Sequence, residues 1–286
     1  VNSFKNFFSL IKFSHTVFAL PFALAGYFMA VSLPDQYFDW RIFIPVVMCM
    51  VFARTAAMAF NRWLDRRIDA VNPRTKNREI PAGKISPAAG LLVTIISSLL
   101  FITTTWFINQ LCFFLSPVAL FVILFYSYTK RFTWLCHWVL GAGLALAPTG
   151  AYIAVTGIFA TEPVLLSFAV LFWVSGFDIL YSIQDEKFDK NKKLHSVPSH
   201  LGRKGSMTVA AFSHLLSIAV LITVWYLMDF KILFLSGILF YSLLLFLEHR
   251  EIHIKGDKAI APAFFNYNSW AGVILCAGLI GGLYLY

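Results

Sequence analysis

This chain has little charge. Lys, Arg, Asp and Glu make up 13% of its 286 residues, where soluble domains carry roughly 25%. That deficit excludes an ordinary soluble domain. Cysteine is scarce as well. Cys49, Cys112, Cys136 and Cys276 stand singly in apolar stretches, with no CxxC or Cys/His spacing. Neither a disulfide framework nor a zinc site is expected. Acidic residues number only 14 against 23 Lys and Arg, a net charge of +9. The basic excess is confined to short connecting segments. It reads as membrane topology and anionic headgroup contact, not as nucleic-acid binding. Lys5 and Lys12 precede the first apolar run, but no small-residue cleavage site follows Leu20-Pro21, so no signal peptide is expected.

Apolar residues fill the chain. They account for 59% of it, and the mean hydropathy is +0.74. A bilayer crossing needs about 20 apolar residues. Nine stretches approach or reach that length, near 14–33, 42–61, 88–108, 111–128, 135–156, 164–184, 207–228, 232–248 and 264–285. Pro21, Pro45, Pro117 and Pro148 fall within or at the ends of these stretches and predict kinks there. The expected architecture is an all-α membrane protein, with nine transmembrane helices around a central cavity, forming one polytopic domain over residues 1–286. The 30 Phe and 8 Trp are expected mostly as packing or lipid-facing residues.

The basic residues set the orientation. All except Arg41, Arg54 and Lys231 fall before the first span or after an even-numbered one. The N-terminus and those loops are therefore expected in the cytoplasm of a bacterial-type inner membrane, and the C-terminus outside. Two cytoplasmic loops are long, 62–87 and 185–206, and loops of that length act as functional lids or are disordered.

Two aspartate clusters open those loops. Asn61, Asp65 and Asp69 are spaced i, i+4, i+8; Asp178, Asp185 and Asp189 are spaced i, i+7, i+11. Each set makes one stripe on a helix. Carboxylates at the end of a membrane helix are costly to desolvate and mark function. Two oxygen-rich stripes across a cavity suit Mg²⁺, which keeps waters and takes further oxygens from substrate phosphates. The competing expectation is that Asp65, Asp69 and Asp189 are solvated helix ends paired locally to Arg66, Arg67 and Lys193. Asp178 fits that poorly, because it lies seven residues inside an apolar run.

Arg54 is the other anomaly. It lies seven residues before Asn61 on the same face, or about 10 Å deeper at 1.5 Å per residue. An intramembrane Arg needs a partner. Either it clamps a substrate carboxylate, for which the guanidinium fork is suited, or it pairs with Asp178. Lys130 and Arg131, at the cytoplasmic end of the fourth span, are either diphosphate contacts or ordinary positive-inside charge. His15, His137 and His214 have no ligand spacing and are expected in packing or headgroup contact.

With these residues in view, the chain resembles the intramembrane aromatic prenyltransferases of the UbiA superfamily along essentially its full length. Asn61, Asp65 and Asp69 match the first motif of that family, NDxxDxxxD. Asp185 and Asp189 match the second, DxxxD, and Asp178 an additional upstream aspartate. The stretch from Asn72-Pro73-Arg74-Thr75 to Ile85-Ser86 is similar to the NPRTxxRPLPSGxIS segment of the 4-hydroxybenzoate branch. Arg54 and Tyr128-Thr129-Lys130-Arg131 also have counterparts there. Arg62 departs from the pattern, standing where the family usually has Asp.

The resemblance implies a fold of nine transmembrane helices with cytoplasmic lid loops. It implies Mg²⁺-dependent transfer of a polyprenyl group from polyprenyl diphosphate to an aromatic acid, in ubiquinone or menaquinone synthesis. Asn61, Asp65, Asp185 and Asp189 would hold the metal, and Asp69 would complete the catalytic carboxylates. Arg66, Lys130 and Arg131 would contact the diphosphate, Arg54 would orient the acceptor carboxylate, and Asp178 would serve substrate binding. The Asn-Arg variant at 61–62 resembles a sub-branch whose acceptor is a dihydroxynaphthoate. A secondary transporter is the rival of another class; it predicts sites reachable from both faces.

Overall fold

The computed structural model describes Leu10, residues 18–229 and residues 231–285. Lys5, Lys12, His15 and the expected start of the first span lie outside the described residues. Helices carry nearly all of the rest, and no strand occurs among the described residues. In chain order they are α1 (Leu20–Val31), α2 (Trp40–Leu64), α3 (Arg66–Val71), α4 (Pro87–Trp106), α5 (Gln110–Thr129) and α6 (Cys136–Thr156). Then follow α7 (Thr161–Ser182), a 3₁₀ turn (Ile183–Asp185), α8 (Glu186–Asn191), α9 (Val197–Leu227), α10 (Ile232–Lys255) and α11 (Asp257–Tyr284). Eight helices among the described residues are long and apolar enough to cross a membrane; α1, at 12 residues, is a shorter apolar one. The expected nine are thus eight full-length helices and one short one.

Local chemistry sets the helix starts. Asp39 accepts from the Arg41 N–H at 2.8 Å to open α2, and Asn109 accepts from Cys112 at the start of α5. Ser86 caps α4, with Pro87 in the first turn. Ser196 and Ser199 form a reciprocal capping box on α9. Gly256, at φ 71°, makes the sharp break between α10 and α11. Those two helices run further toward the loop than expected. Their polar turns keep helical backbone on both sides of Gly256, with Pro262 accommodated near the start of α11.

Small residues bring the helices together, as in other membrane bundles. A Cβ on Gly26 of α1 would collide with the backbone of Pro148 in α6, and one on Gly141 would stand 2.5 Å from the Leu171 carbonyl of α7. Phe22, Trp173, Phe234 and Tyr241 fill the core between α1, α7, α10 and α11. Large apolar side chains such as Phe114, Phe121 and Phe246 stay exposed on the outside, as lipid-facing residues do.

Pro45, Pro117 and Pro148 lie inside helices, and Gly202 of α9, with φ 65° and ψ −176°, is a non-helical residue within a helix. The seventh span begins at Val197, ten residues early, because the capping box starts the helix before that residue. The two long segments expected as lids carry short helices: α3 lies in the first, followed by a run of turns, and α8 with the start of α9 in the second.

Candidate active site

Both aspartate clusters line one cavity of about 240 Å³ at the loop end of the bundle. The stripes are not on single straight helices. α2 stops at Leu64, Asp65 joins it to α3, and Asp69 lies within α3. Asp178 is in α7, Asp185 in the 3₁₀ turn and Asp189 in α8. The Asp69 N–H still donates to the Asp65 carbonyl at 2.8 Å, so helical phase carries across the first junction.

Each cluster is neutralised from a distance. Arg131 donates to Asp65 at 2.7 Å, and Arg78 Nη1 donates to both oxygens of Asp69 at 2.8 and 2.9 Å. Arg74 grips Asp185 through Nε at 3.0 Å and Nη2 at 2.5 Å, with Asn72 Nδ2 adding a third donor at 3.2 Å. Lys130 Nζ lies 2.9 Å from Asp189 Oδ1, and Ser196 donates to Oδ2 at 2.9 Å. The local pairs expected with Arg66, Arg67 and Lys193 do not form. Burial raises the Asp65 carboxyl above its usual range, against the lowering pull of Arg131. Burial pulls Lys130 down, but the Asp189 charge and hydrogen bond outweigh it and leave it raised.

Two expected roles change. Arg54 and Asp178 do not pair. Asp178 meets His137 instead, at 2.6 Å, so His137 belongs to the cavity wall and not to general packing. Arg66 turns away: it donates to the Trp63 carbonyl at 2.6 Å, stacks over that indole and does not line the cavity. Arg62, at the variant motif position, is buried 4.0 Å from Glu79 and also lies off the cavity. His214 packs against His249 at 3.0 Å, away from the site.

The sequence reading missed Asn72, Arg74, Thr75 and Arg78 as cavity residues, with Tyr126, His137 and Tyr181. The basic density of the 72–78 stretch was the available signal for the first group. His137 and Tyr126 offered none.

Among the described residues, no three acidic, thiol or imidazole groups converge closely enough to cage a metal ion by themselves. Mg²⁺ rarely needs that, since it binds through one or two carboxylates plus substrate phosphates and water. Asn61 donates its amide nitrogen to Asp65 Oδ2 at 3.1 Å, which leaves its own Oδ1 available. The hard oxygens of Asn61, Asp65, Asp185 and Asp189 in one cavity wall fit this partial demand.

A second, apolar cavity of about 350 Å³ shares Tyr126 and Leu140 with the first. Val46, Met50, Leu115 and Ala147 are among its walls, and Arg54 is its charged residue. Arg54 Nε is buried without a hydrogen-bond partner, and no carboxylate pairs with this guanidinium among the described residues. A charged chamber walled onto an oily one suits a ligand with an anionic head and an apolar tail.

Comparison with known proteins gives the class. Residues 19–270 match the UbiA prenyltransferase family, to which the chain belongs. It is 30% identical over 242 residues to a 4-hydroxybenzoate octaprenyltransferase of Thiobacillus denitrificans, covering 85% of this chain and 82% of that one. A 4-hydroxybenzoate octaprenyltransferase of Aliivibrio fischeri is also 30% identical, over 247 residues, covering 84% of this chain and 83% of the relative. The apo structure of a UbiA homolog from Aeropyrum pernix K1 superposes with a TM-score of 0.84 at 29% identity, covering 93% and 97% of the two chains. A UbiA homolog from Archaeoglobus fulgidus, solved with DMAPP and Mg²⁺, shares the fold: TM-score 0.72, 18% identity, 96% and 99% covered. The protein is a membrane-embedded prenyltransferase, which sets the transporter alternative aside.

Proposed function

We propose that the protein transfers a polyprenyl group from polyprenyl diphosphate to an aromatic acid, 4-hydroxybenzoate or a related acceptor, in quinone biosynthesis. The observation that carries this reading is the unpaired Arg54 in an apolar chamber that borders the aspartate-lined one. A buried guanidinium with no counter-ion calls for an anionic ligand, and an aromatic carboxylate fits both its charge and its apolar walls. The relatives named 4-hydroxybenzoate octaprenyltransferases and the homolog bound to DMAPP and Mg²⁺ support the same pair of substrates.

Asn61, Asp65, Asp185 and Asp189 would hold Mg²⁺, which supplies positive charge for the departing diphosphate. Lys130, Arg131, Arg74 and Arg78 lie beside those carboxylates. Lys130, Arg131 and Arg74 would become diphosphate contacts where those carboxylates hold the metal, and Arg78, paired with Asp69, would join them. Asp69 keeps Arg78 in place, and Thr75 donates to the Asp69 carbonyl at 3.3 Å. The apolar walls keep water from the allylic carbon as its bond to oxygen breaks. Arg54 orients the acceptor ring by its carboxylate.

The deciding experiment is turnover by purified protein with Mg²⁺, geranyl diphosphate and a panel that includes 4-hydroxybenzoate and a dihydroxynaphthoate. Prenylation of none of the aromatic acids sinks the reading. We further place the polar cavity on the cytoplasmic side of one polytopic domain, from the basic loops around it. Cysteines introduced at Asn77 and Lys192 are expected to resist an impermeant thiol reagent on intact cells, while one at Gln36 reacts. The reverse pattern refutes the topology.

A further inference from the structure

Five aspartates line the polar cavity, and four of them face a guanidinium or an ammonium. Asp178 differs. Its side-chain hydrogen-bond partner among the described residues is an imidazole: His137 Nδ1, 2.6 Å from Asp178 Oδ2. The other ring nitrogen fixes the tautomer. The Val197 N–H approaches His137 Nε2 at 3.3 Å, so Nε2 accepts. The ring proton then sits on Nδ1 and is donated to Asp178.

The imidazole is held where three helices meet. His137 is the second residue of α6, the Ser175 hydroxyl of α7 donates to its carbonyl at 3.3 Å, and Val197 opens α9. Its side chain is almost wholly buried. The Asp178 side chain keeps 27% of its surface accessible, whereas its neighbours Phe177 and Ile179 are buried. Asp178 precedes Asp185 by seven residues, about 10 Å along a helix. Leu140, one turn beyond His137 on α6, borders the apolar cavity. The carboxylate therefore lies further into the bundle along α7 than Asp185, in the wall of the same polar cavity, which shares Leu140 and Tyr126 with the apolar one.

We propose that Asp178, oriented by His137, is the base that removes the proton from the aromatic ring. The proposal rests on the aromatic-acid reading above. In that reaction the allylic C1–O bond breaks, and its electron pair leaves with the diphosphate. A ring carbon ortho to the hydroxyl supplies the pair for the new C1–C bond. The C–H bond at that carbon then returns its pair to the ring, and the proton passes to the free oxygen of Asp178. His137 keeps its own proton throughout, since Nε2 is engaged by Val197. Asp178 releases its proton to water as the product leaves. The four other carboxylates are unsuited to this step, because each already shares its charge with Lys or Arg.

The test compares 4-hydroxybenzoate with the same acid deuterated at both positions ortho to its hydroxyl, using geranyl diphosphate and Mg²⁺. The unaltered protein is expected to use both at one rate, because C1–O cleavage limits it. Asp178→Asn keeps an acceptor for His137 but loses the base. Its kcat falls by about 100-fold or more, and the deuterated acid becomes the slower substrate. His137→Phe brings the same isotope dependence, and His137→Gln, which keeps a donor for Asp178, recovers most of the rate. Bound geranyl diphosphate reports that a variant is folded. Where Asp178→Asn fails that check, the isotope comparison is read in Asp178→Glu, whose displaced carboxylate also slows C–H loss. A lowered rate with both acids still equal overturns the assignment, as does full activity of Asp178→Asn. No transfer to 4-hydroxybenzoate by unaltered protein that binds the donor refutes that acceptor, and the base assignment falls with it.

Discussion

The polar and apolar cavities treat charge in opposite ways. In the first, Asp65, Asp69, Asp185 and Asp189 each have a cationic partner before any ligand arrives. In the second, Arg54 has no carboxylate partner among the described residues, and its Nε makes no hydrogen bond. The first arrangement keeps a dense acidic site folded without metal, since unpaired buried carboxylates are strongly destabilising. The second leaves a cation whose desolvation is offset only when an anion binds. One chamber is therefore balanced in charge before any ligand arrives, while the other is not.

Removing the metal is expected to have the largest effect, because it leaves the carboxylates with only their Lys and Arg partners. Excess EDTA should abolish transfer, and Asp65→Asn or Asp185→Asn should lower it by at least about 100-fold, roughly 2.7 kcal/mol in the barrier. Full transfer in EDTA would remove the metal from the site. Next comes Arg54→Ala, which empties the unbalanced chamber of its charge. Loss of a buried carboxylate contact costs about 2–5 kcal/mol, so acceptor KM should rise by about 30-fold or more while donor binding persists. An unchanged acceptor KM ends the clamp.

Arg131→Ala probes the balanced chamber more gently. Arg131 is partly exposed, and a pair of that kind is worth about 1 kcal/mol, or roughly fivefold in donor affinity. A loss of acceptor affinity instead would blur the distinction between the chambers. The smallest effect belongs to Arg66→Ala. Its side chain lies outside both cavities, and surface changes stay within about 0.5 kcal/mol. A large drop in turnover would return Arg66 to the site.

What was legible in the sequence follows from range. The aspartates and spans show themselves through local periods, and the structure keeps both. Arg74 reaches Asp185 across 111 positions, and Arg131 reaches Asp65 across 66; no period records such a pair. His137 looked isolated for the same reason, since its partner Asp178 lies 41 positions on. Arg66 was misplaced because its guanidinium is taken up by the Trp63 carbonyl and indole, a rotamer choice that apolar periodicity does not record. α3 and α8 are six residues each, too short for a period to declare itself, so their segments read as loops.

The clasp between Arg74 and Asp185 has a consequence for how tightly the donor is held. In the proposed reading, a diphosphate that drew Arg74 to itself would relieve it of a carboxylate, and that carboxylate would then be available to hold the metal. Old contacts are surrendered as new ones form, so affinity is the small difference between two full sets of electrostatic contacts. Loading then resembles a change of partners in a crowded room more than the filling of an empty one. Ionic strength, which weakens both sets together, should alter it less than the number of cations in the wall implies.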